Sequence, residues 1–154
     1  MLQFWMFLHI LGAIVAFGFG FTAPFFGSML AKEPQHGNWY LRSIKRIYDV
    51  LLIPVALTMA VSGYLLVVES GGSERFRELW LGLGASLYVI AILVVLLVQR
   101  PTLSKVIALT SQPPGPDGPP AEVPKLLKRL KVVGSGLGVT VVVIVALMIF
   151  KPGS

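Results

Sequence analysis

The sequence predicts an all-α integral membrane protein, a four-helix bundle with both termini on the outer face, folded as a single domain over residues 1–154. Three observations predict it: the composition, four long uncharged runs, and an uneven split of positive charge between the loops. Hydrophobic residues make up 55% of the chain and charged residues 13%, with a mean hydropathy of +0.81. A soluble domain carries about a quarter charged residues. A soluble enzyme, a disordered tail and a nucleic-acid module are therefore excluded. There is no cysteine, which removes disulfides, thiolate nucleophiles, Cys-ligated zinc and thiolate-ligated haem.

Residues 1–31 contain no Asp, Glu, Lys or Arg. As a helix this run extends roughly 45 Å, against an apolar bilayer thickness of about 30 Å. The first span, about residues 3–30, must tilt or project. It lacks a basic n-region and is too long for a signal-peptide core, so it reads as a retained helix. The second span, about 47–68, contains 19 uncharged residues between Asp49 and Glu69. Asp49 follows Arg46 by three positions, a spacing that pairs them at the helix start. Pro54 removes a backbone donor and is expected to kink the helix. The third span, about 79–98, fills the 21 uncharged residues between Glu78 and Arg100. The fourth, about 132–150, fills the 19 between Lys131 and Lys151.

Lys and Arg counts set the orientation. The segments between the first and second spans and between the third and fourth hold ten of the 13 positive residues. Loops 31–46 and 99–131 are therefore expected in the cytoplasm, with the chain in a bacterial-type inner (plasma) membrane. The net charge of +6 is mostly this topology signal. Residues 112–124 hold six prolines with Gly115 and Gly118, a composition that makes a flexible spacer. The basic stretch Pro124 to Lys131 then leads into the fourth span.

Close helix packing in lipid depends on small residues. Gly12, Ala16 and Gly20 recur at spacing four in the first span, and Gly134 with Gly138 do so in the fourth. Partners are the lipid bilayer and either further copies or a larger membrane complex. Phe17, Phe19, Phe21, Phe25 and Phe26 crowd the first span and can face lipid or a flat ligand.

An ionisable residue inside a span is a functional hypothesis by default. His9 qualifies, about 12 Å along the first helix and one turn before Gly12. An imidazole there needs a hydrogen-bond partner or a metal. Ser62, Tyr64 and Ser86 are polar side chains at comparable depth, and Met59 belongs to the same layer. Three readings follow: haem b iron on His9 with Met59 or open coordination opposite, copper through His9 with Met6 or Met59, or no cofactor and a hydrogen bond to serine. His36 lies in a loop and is expected in solvent.

The segment Phe7-Leu8-His9-Ile10-Leu11-Gly12 followed by Pro24 resembles the first helix of HemJ-type membrane protoporphyrinogen oxidases. Arg46-Ile47-Tyr48, Pro54, Ser62-Gly63 and the ending Phe150-Lys151-Pro152 extend the likeness. The related copper-resistance D membrane domains share this build. In size the chain is most similar to the small DUF2269 membrane proteins. The resemblance implies haem binding by His9. It does not carry over protoporphyrinogen oxidation. HemJ-type proteins place a Lys after the third-helix Trp, where this chain has Leu81-Gly82 after Trp80. They start helix four with Asn-Glu-x-Pro, where it reads Lys131-Val132-Val133-Gly134, and they have an Arg after the first-helix Pro, where it has Phe25.

Overall fold

The structure is a computed structural model describing residues 1–112 and 118–153, with the backbone alone for residues 23–31 and Pro34. Four long helices make up the chain: α1 (Leu2–Lys32), α2 (Gly37–Gly71), α3 (Leu79–Leu109) and α4 (Glu122–Phe150). There is no β-strand among the described residues. All four helices are long and apolar enough to cross a membrane, so the fold is all-α and membrane-spanning. Of the Pro-rich spacer, residues 113–117 lie outside the described residues.

The helices overrun the spans at the basic end. Gly37–Ile47, Arg100–Leu109 and the first turns of α4 are helical, where the sequence was expected to form loops over 31–46 and 99–131. The difference has a simple cause. Lys, Arg, Leu and Ala all favour helix, so charge marks where lipid ends and not where the helix ends.

Two turns are π-helical, Tyr48–Leu52 in α2 and Val95–Gln99 in α3. Ile53 N–H bonds to the Tyr48 carbonyl and Arg100 N–H to the Val95 carbonyl, each five residues back. Both turns close two residues before a proline, Pro54 and Pro101. A proline ring collides with the carbonyl four residues earlier. Those carbonyls belong to Val50 and Leu97, the middle residues of the two wide turns. Widening relieves the collision, and both helices run on through their prolines.

The deepest packing is at the basic end, where Leu41, Leu103, Val106 and Val123 form a core and Val106 is 0% exposed. Helix ends that project from lipid must bury their apolar faces against one another. Asn38 Nδ2 donates to the Ile107 carbonyl and to Thr110 Oγ1, both at 2.9 Å, so it satisfies acceptors at the end of α3. In the spans, α1 packs on α2 and α3 on α4. Tyr88 joins the two pairs through a 2.8 Å bond from its hydroxyl to the Ala56 carbonyl. Phe4, Phe7, Ile10, Ile14 and Phe21 of α1 stay exposed, as a lipid-facing helix requires.

At the opposite end Val67, Trp80 and Leu81 are buried together, with Phe76 and Leu147 against them. Gly72 takes φ 86° in the turn between α2 and α3, a left-handed conformation that suits glycine. Glu78 accepts from Arg75 Nε at 2.9 Å and from Trp80 Nε1 at 2.8 Å. The Arg75 bond holds the Glu78 carboxyl below the usual range. A depressed carboxylate contributes stability above its ordinary range and loses it as pH falls through the folded value. With Trp5 and Trp39 replaced by Phe, Trp80 emission is therefore expected to stay flat from neutral pH down to about 4.3, the ordinary glutamate value, and to change below it. Glu78→Gln should abolish that change. A midpoint at or above the ordinary value would contradict the arrangement.

Candidate functional site

His9 sits on α1 where that helix meets α2. Its Nδ1 lies 3.2 Å from the Met59 carbonyl oxygen and 3.3 Å from Ser62 Oγ. A carbonyl only accepts, so Nδ1 carries the proton and donates. Ser62 Oγ donates its own hydrogen to the same Met59 carbonyl at 3.2 Å, which leaves its oxygen free to accept from His9. The Met59 carbonyl beside Nδ1 favours the tautomer that carries the proton there. Ser62 is 1% exposed and Met59 3%, so the frame that holds the ring is itself fixed.

The other ring nitrogen is free. His9 Nε2 has no hydrogen-bond partner among the described residues. It is not enclosed either: Gln99 Oε1 is the enclosed side-chain atom without a partner among the described residues. The ring is half-buried, clamped on one side and open on the other.

Two glycines permit this. A Cβ on Gly63 would stand 3.0 Å from His9 Cε1 and 3.3 Å from Nδ1, so the imidazole approaches α2 closely where the glycine leaves room. A Cβ on Gly12 would stand 2.5 Å from Met59 Cγ and 3.3 Å from Met59 Sδ, a separation that real atoms do not adopt. Met59 therefore fills the seam one turn beyond His9. Its carbonyl meets His9, while its thioether rests on Gly12.

Residues 4–152 match the profile of a family described as predicted integral membrane proteins. The chain belongs to the DUF2269 family. No curated protein and no solved structure matches it.

Other predicted positions in this DUF2269 protein are distributed unevenly around the seam. Ala16 is partly buried, and Gly134 is 3.6 Å from Gln99 Nε2, measured from the position a Cβ would take. Gly20 and Gly138 would meet nothing within 4 Å; their stripes continue onto open faces. Tyr64 is exposed and stacks on Phe76, Ser86 is exposed, and neither approaches His9 by any hydrogen bond among the described residues. His36 is exposed, as expected for solvent, with Glu33 at 3.7 Å. Phe25 and Phe26 have side chains outside the described residues, whereas Phe21 is exposed and Phe19 meets the Tyr48 ring edge-on at 6.1 Å.

Asp49 is a correction. It does not pair with Arg46; it binds Lys45 Nζ at 2.5 Å and Arg100 Nε at 2.6 Å. The i,i+4 position of Lys45 and the approach of α3 outcompete the i,i+3 spacing. No group of three or more His, Asp or Glu that could hold a metal ion occurs among the described residues. Any metal reading therefore rests on His9 with soft or porphyrin donors.

Proposed function

We propose that this DUF2269 protein holds a b-type haem or related porphyrin through His9 Nε2 and serves electron transfer or haem handling in the membrane. The observation that carries the reading is an imidazole fixed by its Nδ1–H on a backbone carbonyl, with Nε2 open at membrane depth. That is the way proteins orient a ligating histidine. An unpaired polar atom facing hydrocarbon is costly, and a metal would engage it. The likeness of Phe7–Gly12 to the HemJ first helix supports the same assignment.

When bound, haem supplies a one-electron iron couple. Everything else falls to the chain. His9 would hold the iron through Nε2, and the Met59 carbonyl with Ser62 fixes the orientation of the ring. The Gly12–Met59 contact closes the seam between α1 and α2, so a flat ligand fits only on the open side of His9. Met59 sulfur is taken up by its packing on Gly12, so the reading gives the iron His9 alone. The reading includes no porphyrinogen oxidation, because α3 carries Leu81-Gly82 in place of the lysine. In this reading the basic end faces the cytoplasm.

The test is an absorption spectrum of the detergent-purified protein, oxidised and then dithionite-reduced. A Soret band with sharpened reduced bands is expected. His9→Ala should lose it, and Ser62→Ala should weaken haem retention about tenfold, the low end for loss of an outer-shell partner. A colourless protein that leaves the spectrum of added haem unchanged would sink the assignment. The alternative is then a cofactor-free subunit or assembly factor, favoured by the open Gly20 and Gly138 faces.

A further inference from the structure

At the basic end, away from His9, a wide-open surface groove of about 450 Å³ is lined by Arg42, Lys45, Arg46, Asp49 and Val50 of α2 together with Ile107 of α3. Its charge is unbalanced. Lys45 and Arg100 both bind Asp49, so the one carboxylate in the cluster is neutralised twice over. Arg42 and Arg46 have no ion pair or hydrogen bond among the described residues, and both are exposed. Lys105 on α3, by contrast, is paired with Glu122 at 2.9 Å. Arg42 and Arg46 are four apart, so they present two guanidinium forks from one helix face. Such forks match phosphate oxygens.

The groove also has an apolar border. Val50, in the lining, is 70% exposed, and Leu97, at the other π turn three residues before Arg100, is 71% exposed. Trp39, 67% exposed, stands one turn before Arg42, where an interfacial aromatic belongs. A phosphate-bearing head with hydrocarbon running away from it satisfies both halves of this surface. A free phosphate uses only one.

We infer that the groove between α2 and α3 binds the phosphodiester headgroup of an anionic phospholipid, with Arg42 and Arg46 as its ligands and Asp49 holding Lys45 and Arg100 in place. Basic pockets between spanning helices are suited to such headgroups. The site is independent of the haem assignment.

The test is native mass spectrometry of the full-length protein titrated with phosphatidylglycerol or phosphatidylcholine. Phosphatidylglycerol is expected to bind more tightly, and Arg42→Gln/Arg46→Gln to weaken it about thirtyfold, from the usual gain per surface cation. Arg42→Lys/Arg46→Lys should restore part of the binding, which shows that loss in the Gln variant is not misfolding. Lys128→Gln/Arg129→Gln, on the other basic segment, should leave it unchanged. Equal affinity for the two lipids, full retention in the Arg42→Gln/Arg46→Gln variant, or an equal loss in the Lys128→Gln/Arg129→Gln variant would each overturn the site. Displacement of the lipid by millimolar inorganic phosphate would overturn the lipid assignment and leave a phosphate-ion site.

Discussion

Gly12→Leu should detach α1 from α2 and destabilise the protein by about 1–3 kcal/mol, the usual cost of forcing bulk into a filled contact. The Cβ alone would lie 2.5 Å from Met59 Cγ and 3.6 Å from Val55 Cγ1. Met59 has a flexible side chain, which favours escape. It is also 3% exposed, so it has nowhere to go unless the helices part. Parting them also removes the Met59 carbonyl from His9, so the mutation loses a hydrogen bond as well as a contact. Gly20→Leu and Gly138→Leu are the controls. Both glycines face open space, and surface changes of that kind stay within about 0.5 kcal/mol. The readout is the unfolding midpoint in a mixed-micelle denaturant titration. A Gly12→Leu midpoint equal to that of Gly138→Leu would show that the seam is not tight.

That comparison also marks what the sequence could reveal. Gly12 and Gly138 have the same four-residue spacing and the same apolar surroundings. Periodicity identifies a stripe; it does not say which stripe a neighbour covers, because in lipid an uncovered face is equally apolar. The four spans were legible for the opposite reason. Charge is so costly in hydrocarbon that the uncharged runs outline them directly. His9 stood out for the same reason, and its serine partner was within reach of a depth argument.

The π turns were not legible. Pro54 announces a disturbance, and only the backbone decides between a kink and a wide turn. The paired turn before Pro101 lies beside Arg100, where the sequence shows only the end of the apolar run. The helical extensions at the basic end were hidden because Lys and Arg mark the membrane boundary while favouring helix. Asp49 could be assigned a local partner from its spacing, but Arg100 is 51 residues away, and nothing local signals that contact.

Asp49 yields the second large effect. Its two bonds, to Lys45 on its own helix and to Arg100 on α3, tie the π turn of α2 to the residue that ends the π turn of α3. An i,i+4 pair alone is worth only about 0.3–0.5 kcal/mol. Charge-assisted hydrogen bonds are worth about 1.5–3 kcal/mol each, and the side chain of Asp49 is 26% exposed, which discounts that figure. Asp49→Ala is therefore expected to cost about 1–2 kcal/mol, larger than the helical pair can explain. It also leaves Arg42, Lys45, Arg46 and Arg100 close together with no carboxylate among them. Repulsion between like charges is screened by salt, with a Debye length of about 8 Å at physiological ionic strength. Added salt should thus recover part of the loss in Asp49→Ala while weakening the pair in the wild type, so the two unfolding midpoints converge. Asp49→Asn, which keeps one acceptor and loses the charge, should fall between. Double-mutant cycles apportion the bonds: the coupling of Asp49 to Arg100 should exceed its coupling to Lys45, because only the former joins two helices. A near-zero coupling to Arg100 would reduce the contact to a surface pair and remove its role in holding the groove together.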